Sequence, residues 1–276
     1  MTTDAPDLSD FTGTVTFLGA GAMGGAVLDG FLAAGLPPER VRVTAARERT
    51  RARWEERGVS AGADNAEAVR GADVVVLGVK PHLVADVLDE VRDALGDDAI
   101  VVSLAAGITL ETLEGRAGAG VPVVRVMPNT PALVGEGMFV LTGGHDCSEE
   151  QLGRVVDLLR SCGETEVVPE KWQDAASGVS GSGPAYVFYV ADALAEGGVF
   201  EGLPRDLAVR LAAQTLLGAG RMLVESDTPA ATLREQVTSP GGSTAAALRV
   251  LDEGAVRHRF SAAVSAATRR AGEMGG

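Results

Sequence analysis

The first half of the chain alternates short apolar runs with stretches of helical periodicity, and glycines separate many of them. The apolar runs at residues 15–18, 41–45 and 73–79 predict strands. The run at 73–79 reads DVVVLGV and is apolar enough for a strand buried on both faces. This alternation is typical of a parallel sheet covered by helices, so we expect an α/β fold.

Further elements continue this pattern to about residue 168, where we expect the sheet to end. Helices are expected at 22–35, 47–57, 81–95 and 149–159, and additional strands at 100–104, 123–126 and 139–141. After Pro169 the β-rich runs stop, and helical spacing takes over at 184–199, 205–225 and 245–271. The second half is therefore expected to be all helical.

The predicted helix at 184–199 carries apolar residues around most of its circumference. Such helices are usually buried on several sides. A chain of this length offers few layers that could bury it. We therefore expect homodimerisation through the helical half.

A glycine-rich turn joins the first predicted strand to the first predicted helix. The segment reads TFLGAGAMG, which places GxGxxG at this junction. Gly19 permits the tight turn, Gly21 lets a pyrophosphate approach the backbone, and Gly24 lets helix and strand pack closely. Ala22 and Met23 open a helix whose N-terminus attracts phosphate. The turn predicts a dinucleotide-binding site.

Positive charge is concentrated directly after the second predicted strand. A site for NAD normally has an acid there, whereas a site for NADP has an arginine for the 2′-phosphate. The sequence has no acid at the strand end and has Arg47, Arg49, Arg51 and Arg53 at alternate positions. Arg47 stands where the turn should meet the adenosine ribose, so we predict NADP(H), with NAD(H) as the alternative. For the other three, a solvated helix face with Arg51 paired to Glu55 stays open.

Composition argues against several classes of partner. With 24 basic and 38 acidic residues the net charge is −14, which opposes binding to nucleic acid and to anionic membranes. No run of about 18 apolar residues occurs, and the acidic N-terminus is unlike a signal peptide. Cys147 and Cys162 lack metal-ligand spacing. We therefore expect a cytoplasmic protein with no membrane span and no metal site.

Seven segments of the chain match one family. They are GAGAMGGA at 19–26, GVKP at 78–81, SLAAGIT at 103–109, RVMPNTPALVGEGM at 125–138, SGVSGSGPAYVF at 177–188, GLPRDLAVRLAAQTLLGA at 202–219 and TSPGGSTAAAL at 238–248. On these segments the chain resembles the pyrroline-5-carboxylate reductases over about residues 14–275. The resemblance is specific, because the last three segments belong to that family's substrate domain.

The resemblance implies a Rossmann-type, doubly wound, mostly parallel sheet followed by an all-helical C-terminal dimerisation domain. We expect a flexible N-terminal extension at 1–12, an NADP-binding domain at 13–168 and a helical substrate and dimerisation domain at 169–276. The implied activity is the NAD(P)H-dependent reduction of L-1-pyrroline-5-carboxylate to L-proline, the last step of proline biosynthesis. The implied assembly is a homodimer, with a decamer as the larger form.

The same resemblance assigns site residues by position. The implied cofactor contacts, besides the glycine turn and Arg47, are Asn65, Val79, Lys80, Pro81, Ala105 and Ala106. The implied substrate residues are Ser239, Gly242, Ser243 and Thr244. Lys80 follows a buried strand, where doubly wound sheets bind ligands, and is expected to line the nicotinamide side. Thr244 matches the residue proposed to contact the imine nitrogen, so Thr244 and Lys80 are the predicted catalytic residues.

The chemistry explains why a helix N-terminus suits the substrate loop at 239–244. The substrate is a small carboxylate on a ring C=N, and an iminium accepts hydride far better than a neutral imine. Free N–H groups at the start of a helix hold a carboxylate without a formal charge. Ser243 or Thr244 is expected to cap the helix that follows. An ordinary helix cap after a Pro-Gly turn is the alternative.

Two other functions stay open. A β-hydroxyacid dehydrogenase of the 3-hydroxyisobutyrate type shares the plan of a Rossmann domain followed by helices. Its chemistry is associated with a lysine on the long interdomain helix, and residues 184–199 contain no lysine. A non-catalytic NADP(H)-binding sensor is the second alternative, although a sensor would not need the second anion site at 239–244.

Overall fold

The computed structural model describes residues 6–274, which divide into two compact units. The first unit contains residues 6–181 and 267–274, and the second contains residues 182–266. The division falls between Gly181 and Ser182, later than the domain boundary predicted after residue 168. One reason is that the buried side chain of Gln173 bonds to the sheet, where its Nε2 donates to the carbonyl oxygen of Val140 at 3.1 Å.

The first unit is built on an eight-stranded sheet. Its strands are β1 (Val15–Leu18), β2 (Val41–Thr44), β3 (Ser60–Gly62), β4 (Val74–Leu77), β5 (Ile100–Ser103), β6 (Val123–Met127), β7 (Gly137–Gly143) and β8 (Gly163–Val167). Their order is β3-β2-β1-β4-β5-β6-β7-β8, and β6 with β7 is the antiparallel pair in this otherwise parallel sheet. This confirms the mostly parallel, doubly wound sheet and its end near residue 168.

Helices cover both faces of this sheet. They are α1 (Ala22–Ala33), α2 (Glu48–Glu55), α3 (Asn65–Val69), α4 (Val84–Val91), α5 (Leu110–Ala117), α6 (Glu149–Arg160) and α7 (Gln173–Ala176). Phe17 and Val76 belong to one hydrophobic cluster, and Leu18 and Leu77 belong to another. Successive residues of a strand point to opposite faces, so the two clusters fill the two sides of the sheet.

Several elements of this unit differ from the sequence-based expectation. The helix predicted at 81–95 is a 3₁₀ turn at Pro81–Leu83, then α4, then a second 3₁₀ turn at Arg92–Ala94. Strands β3 and β8 and helices α3 and α5 had no predicted counterpart. Strand β3 reads SAG, which has no apolar periodicity, and it forms by pairing with β2.

Leu8 and Phe11, within the predicted flexible extension, contact the core, and the flexibility of the extension stays a prediction. Leu8 is only 6% exposed and lies in a hydrophobic cluster with Phe11 packed against it. The Leu8 N–H donates to the carbonyl oxygen of Ala34 at 2.7 Å. Residues 1–5 of the predicted extension lie outside the described residues.

The second unit is helical, as predicted. It contains α8 (Gly183–Phe200), α9 (Arg205–Glu225), α10 (Ala230–Gln236), α11 (Ser243–Glu253) and the first part of α12 (Val256–Met274). The helical spacing predicted over 245–271 is divided into two helices, because the chain breaks between α11 and α12. Gly254 caps α11, and Ala255 has a φ of +52° that no α-helix accommodates.

The helical unit leaves much of its apolar surface uncovered. Its hydrophobic cluster of buried residues consists of Ala195, Ala208 and Ala212. On α8, Phe188 and Phe200 are 64% and 88% exposed. Large exposed apolar patches on soluble proteins mark interaction sites.

Helix α9 also meets the length and composition of a membrane-spanning helix. It has 21 residues, and its most apolar window has a mean hydropathy of 1.2 and is 11% buried. Core helices of soluble proteins can pass the same test, so this feature decides nothing by itself. The expectation of no membrane span stays a prediction.

Candidate functional site

The sheet brings most of the predicted cofactor residues to one edge. Leu18 at the end of β1 pairs with Thr44 at the end of β2 and with Leu77 at the end of β4. Leu77 in turn pairs with Ser103 at the end of β5. The segments that follow these strands contain the glycine turn, Arg47, residues 79–81 and residues 104–106. They therefore lie side by side at the carboxyl edge, where open α/β sheets bind ligands.

Gly19 and Gly24 have the backbone geometry that the sequence predicts for them. Gly19 has a φ of +87°, in the left-handed region. A Cβ at Gly24 would lie 2.5 Å from the carbonyl oxygen of Gly19, so only glycine fits there. A Cβ at Gly78 would lie 2.0 Å from the same oxygen. Gly78 was missed as a site residue, although a glycine directly after a buried strand is the signal that could have identified it.

Gly21 has free space at the position of a side chain, whereas Gly24 has none. A Cβ at Gly21 would have no neighbouring heavy atom within 4 Å. Gly21 is also the N-cap of α1, and it makes no side-chain cap. The N–H groups of Ala22, Met23 and Gly24 have no intrahelical acceptor, as at any helix N-terminus. This combination of free donors and open space fits a pyrophosphate.

A cleft of about 410 Å³ lies beside this turn. It is lined by Ala20, Gly21, Ala22, Gly25, Ala26, Asp29, Arg49, Thr50, Arg53 and Leu133. The cleft thus joins the start of α1 to the side chains of α2. Its cationic side chains come from the arginine segment that the sequence singled out.

The four arginines of that segment have different surroundings. Arg51 donates to the carbonyl oxygens of Ala45 and Ala46 at 2.7 and 3.2 Å. It therefore holds the turn after β2, and the pair with Glu55 that was the alternative does not form among the described residues. Arg53 pairs with Asp29 at 2.9 Å.

Arg47 and Arg49 are exposed, and neither has an ion pair or side-chain hydrogen bond within residues 6–274. Arg47 is the N-cap residue of α2, directly after the strand end. Arg49 lines the cleft together with Gly21. These two guanidinium groups are the ones left available to an anionic ligand.

The remaining predicted cofactor residues also follow strand ends. Asn65 opens α3, where its Oδ1 accepts from the Thr44 hydroxyl at 2.6 Å and its Nδ2 donates to Glu90 at 2.9 Å. Lys80 is exposed and caps the 3₁₀ turn that begins at Pro81. Val79 lies against the glycine turn, since its Cγ1 would be 2.8 Å from a Cβ at Gly19.

Ala105 and Ala106 lie in the segment between β5 and α5. Ala105 is buried, with 5% of its surface exposed, and Ala106 is half-buried. The N–H of Leu104, just before them, donates to the carbonyl oxygen of Leu77 at 3.2 Å. This bond ties the start of the segment to the end of β4.

The predicted substrate residues lie together at the start of α11 in the helical unit. Gly242 is the N-cap and makes no side-chain cap, so the expectation that Ser243 or Thr244 caps this helix is wrong. Both lie inside the first turn instead. A Cβ at Gly242 would lie 2.4 Å from the Ser239 hydroxyl, so a side chain at this position would require the Ser239 side chain to move.

The start of α11 has unused donors. The N–H groups of Ser243, Thr244 and Ala245 have no acceptor among the described residues, and neither do the hydroxyls of Ser239, Ser243 and Thr244. Gly241, with a φ of +69°, turns the chain into this helix. The loop can therefore donate several hydrogen bonds to one small anion.

Two residues of the segment at 125–138 have roles that the sequence did not indicate. Asn129 is 9% exposed, and it donates to the carbonyl oxygen of Ser180 at 3.1 Å and accepts from the Met138 N–H at 2.8 Å. It fixes a π-helical turn at Ser177–Gly181, a feature frequent at functional sites. Arg125 is a buried arginine in the middle of β6.

Neither cysteine is activated. Cys162 is fully buried, and burial raises the pKa of its thiol to about 11. Burial also raises the pKa of the Cys147 thiol. Over residues 6–274 no group of three or more His, Cys, Asp or Glu side chains is arranged to hold a metal ion.

Two family models match the chain. Residues 14–107 match "NADP oxidoreductase coenzyme F420-dependent", and residues 170–274 match "Pyrroline-5-carboxylate reductase dimerisation". Curated relatives match over nearly the full length. The chain is 42% identical to a pyrroline-5-carboxylate reductase 3 of Danio rerio, over 99% of this chain and 95% of the relative. It is also 42% identical to the pyrroline-5-carboxylate reductase of Corynebacterium melassecola, over 95% of this chain and 98% of the relative.

Solved structures agree with these relatives. A pyrroline-5-carboxylate reductase from Coxiella burnetii superposes with a TM-score of 0.92 at 37% identity, covering 96% of this chain and 99% of that one. A Plasmodium falciparum pyrroline carboxylate reductase with NADP bound has a TM-score of 0.87 at 32% identity, with the same coverage of 96% and 99%. A 3-hydroxyisobutyrate dehydrogenase of Mycobacterium tuberculosis has a TM-score of 0.54 at 17% identity over 68% of this chain and 66% of that one, so it shares the fold alone.

The glycine turn generates a paired prediction. We expect Gly24→Ala to lower the free energy of unfolding by about 1–3 kcal/mol, because its methyl group would overlap the Gly19 carbonyl. Gly21→Ala should unfold like the wild type and bind NADPH more weakly, because its methyl group enters open space at the pyrophosphate position. Thermal unfolding and NADPH fluorescence titration measure the two effects. Equal stability losses in both variants would contradict this division of roles.

Proposed function

This chain belongs to the pyrroline-5-carboxylate reductase family, and from that premise we propose how its own residues carry out the reaction. The enzyme reduces L-1-pyrroline-5-carboxylate to L-proline with NAD(P)H. The observation that carries this conclusion is the 42% identity to curated reductases across 99% of the chain. The hydroxyacid dehydrogenase and the sensor are not favoured, because the former shares only the fold and the full-length relatives are reductases.

The cofactor is held at the carboxyl edge of the sheet. When bound, the reduced nicotinamide supplies the hydride for the imine carbon. The N–H groups at the start of α1 and the open face of Gly21 hold the pyrophosphate. Asn65, Val79, Pro81, Ala105 and Ala106 contact the rest of the cofactor, and Lys80 lines the nicotinamide side. Their position directly after neighbouring strand ends supports these assignments.

The enzyme prefers NADP(H) over NAD(H). Arg47 binds the 2′-phosphate, and Arg49 adds a second positive charge from the wall of the cleft. Both guanidinium groups lack partners within residues 6–274, whereas Arg51 and Arg53 are engaged by backbone carbonyls and by Asp29. An arginine that already has partners would gain less binding free energy from a phosphate than an arginine without partners.

The substrate carboxylate binds at the start of α11. The N–H groups of Ser243, Thr244 and Ala245 and the Ser239 hydroxyl donate to it, and the lack of a side chain at Gly242 leaves the Ser239 hydroxyl in place. This arrangement orients the ring without placing a formal charge beside it. The same helix start holds the Thr244 hydroxyl near the ring nitrogen.

Thr244 orients the imine nitrogen and relays a proton to it from water. A threonine hydroxyl is too weak an acid to protonate an imine unaided. Its contribution is therefore at most that of a positioned proton-transfer group, about 10²–10⁴-fold.

The chain self-associates through its helical unit. We assign the minimal assembly as a homodimer and leave a decamer as its larger form. The support is the exposed apolar surface of α8 and α9, including Phe188, Phe200 and Leu217, within the region that matches the dimerisation family model. A cytoplasmic location is supported by the two unbridged cysteines, which are typical of reducing compartments.

Arg47 gives a direct test of cofactor preference. Arg47→Ala should lower kcat/KM for NADPH by about 10-fold or more, the scale of one charge-assisted pair, and leave kcat/KM for NADH nearly unchanged. Arg49→Ala should act in the same direction with a smaller effect. Arg53→Ala is the matched control, because its guanidinium already pairs with Asp29 and does not hold the turn that carries Arg47. An unchanged NADPH to NADH ratio in Arg47→Ala contradicts the assignment.

Thr244 is tested by separating catalysis from cofactor binding. Thr244→Ala should lower kcat by about 10²-fold or more, within the range of a lost proton-transfer group, while the Kd for NADPH stays as in the wild type. Thr244→Ser, which keeps the hydroxyl, should recover most of kcat. Steady-state kinetics and fluorescence titration report both quantities. A wild-type kcat in Thr244→Ala removes Thr244 from the mechanism.

The assembly is tested by multi-angle light scattering at micromolar concentration. We expect a mass of at least two chains, because the apolar faces of α8 and α9 are covered only in an oligomer. Phe188→Glu should shift the equilibrium toward the monomer. Asp192→Ala, on the same helix, is the control without a large apolar side chain. A monomeric wild type would contradict the homodimer.

A further inference from the structure

A buried arginine lies on β6, where the sequence pattern suggested an apolar strand. Arg125 is 7% exposed, and it is the pairing partner of Ser103 on β5 and of Thr142 on β7. Paired residues of neighbouring strands share one face of the sheet. Ser103 and Thr142 are also buried, so the three form a polar layer on that face.

The charge of Arg125 is balanced by two carboxylates from the segment that follows the sheet. Its Nη1 donates to Glu170 Oε1 at 2.8 Å, and its Nη2 donates to Asp174 Oδ1 at 3.3 Å. A buried charge is tolerated only when it is paired and hydrogen-bonded in this way. The side chain of Arg125 is 9% exposed, whereas those of Glu170 and Asp174 are 34% and 41% exposed.

Glu170 has a second partner that Asp174 lacks. The same oxygen, Oε1, accepts from the backbone N–H of Leu110 at 2.7 Å. Leu110 is the first residue of α5, so this N–H has no acceptor within the helix. A carboxylate at that position also favours the helix dipole. Arg125 therefore fixes Glu170, and Glu170 fixes the start of α5.

The start of α5 is also the end of the segment that contains Ala105 and Ala106. This segment is anchored at its beginning by the bond from the Leu104 N–H to the carbonyl oxygen of Leu77. Glu170 supplies the anchor at its other end. Between the two anchors Gly107 has a φ of +75°, and a Cβ there would lie 3.1 Å from Met274 Cβ. The Ala105 N–H also donates to the Ser103 hydroxyl oxygen at 3.4 Å, and Thr109 caps α5, so Glu170 acts together with these contacts on the part of the segment that follows Ala105.

We propose that Glu170, held by Arg125, is a positioning residue for hydride transfer, because it sets the place of Ala105 and Ala106 at the cofactor edge. This inference rests on the proposed function, which assigns those two alanines to the cofactor. Glu170 itself acts through the Leu110 N–H and the backbone that precedes it. Displacement of a positioned group by about 1 Å can cost on the order of 10²-fold in rate.

Two substitutions of Glu170 separate positioning from charge. Glu170→Gln keeps an acceptor oxygen in place without the charge, and its kcat should stay near that of the wild type. Glu170→Asp keeps the charge but withdraws the oxygen by one methylene, so it cannot reach both Arg125 and Leu110. Its kcat should fall on the order of 10- to 100-fold, while KM for pyrroline-5-carboxylate changes little.

Amide hydrogen exchange supplies a readout independent of activity. In Glu170→Asp the peptide that contains residues 104–110 should exchange faster, and in Glu170→Gln it should exchange as in the wild type. Asp174→Asn is the matched control, because Asp174 pairs with the same arginine and has no bond to Leu110. Its kcat and its exchange at 104–110 should stay near the wild-type values. Melting temperatures of all variants distinguish lost folding from lost positioning.

Three results overturn the inference. The first is a kcat and a hydrogen exchange in Glu170→Asp that match the wild type. The second is a fall in kcat in Glu170→Gln as large as that in Glu170→Asp. The third is a fall of that size in Asp174→Asn. Failure of the proposed function is a different result, since it would appear as a wild-type enzyme that oxidises no NADPH with pyrroline-5-carboxylate. The exchange comparison still decides in that case whether Glu170 anchors the segment.

Discussion

The site depends on one close approach, in which the carbonyl oxygen of Gly19 lies between the start of α1 and the end of β4. A Cβ at Gly24 or at Gly78 would come within 2.5 or 2.0 Å of that oxygen. The backbones can meet there only because neither residue has a side chain. This contact brings the free N–H groups of α1 to the crevice at the edge of β1 and β4, where the strand order reverses. That placement is the basis of the phosphate site that we propose at the sheet edge.

Positive side chains are a minority of the charged residues in this protein, whose net charge is −14. Several arginines serve the fold: Arg51 holds the turn after β2, and Arg125 binds Glu170 and Asp174. Arg47 and Arg49 are the exceptions at the cofactor edge. The substrate carboxylate is assigned to backbone donors at α11 rather than to an arginine. In the function that we propose, cofactor preference and substrate binding therefore rest on different physical interactions.

Long periodic elements and backbone requirements could be predicted from the sequence. The helix at Arg205–Glu225 has its predicted bounds, because its apolar spacing is regular over 21 residues. Gly19 and Gly24 could be assigned because each role is a constraint on the main chain alone. The break at Ala255 was missed even though Gly254 is a typical end of a helix. Ser243 or Thr244 was predicted to cap α11 because serine and threonine are favoured at N-caps, but the N-cap is Gly242.

Features that depend on distant partners could not be predicted. Which arginine of the segment is free is decided by Asp29 and by the carbonyl of Ala45, neither of which any spacing rule reveals. The role of Arg125 depends on Glu170, which lies 45 residues later in the chain. The packing of Leu8 against the core likewise depends on Ala34. Tertiary contacts of this kind override local patterns, and they involve several of the residues that shape the site.

The central claim is tested most directly by the stoichiometry of the reaction. Purified protein is mixed with NADPH and L-1-pyrroline-5-carboxylate, and NADPH absorbance and L-proline are followed together. The account predicts that one L-proline forms for each NADPH consumed, and that neither changes when the imine is omitted. NADPH that stays unoxidised, or that is consumed without formation of proline, would contradict it.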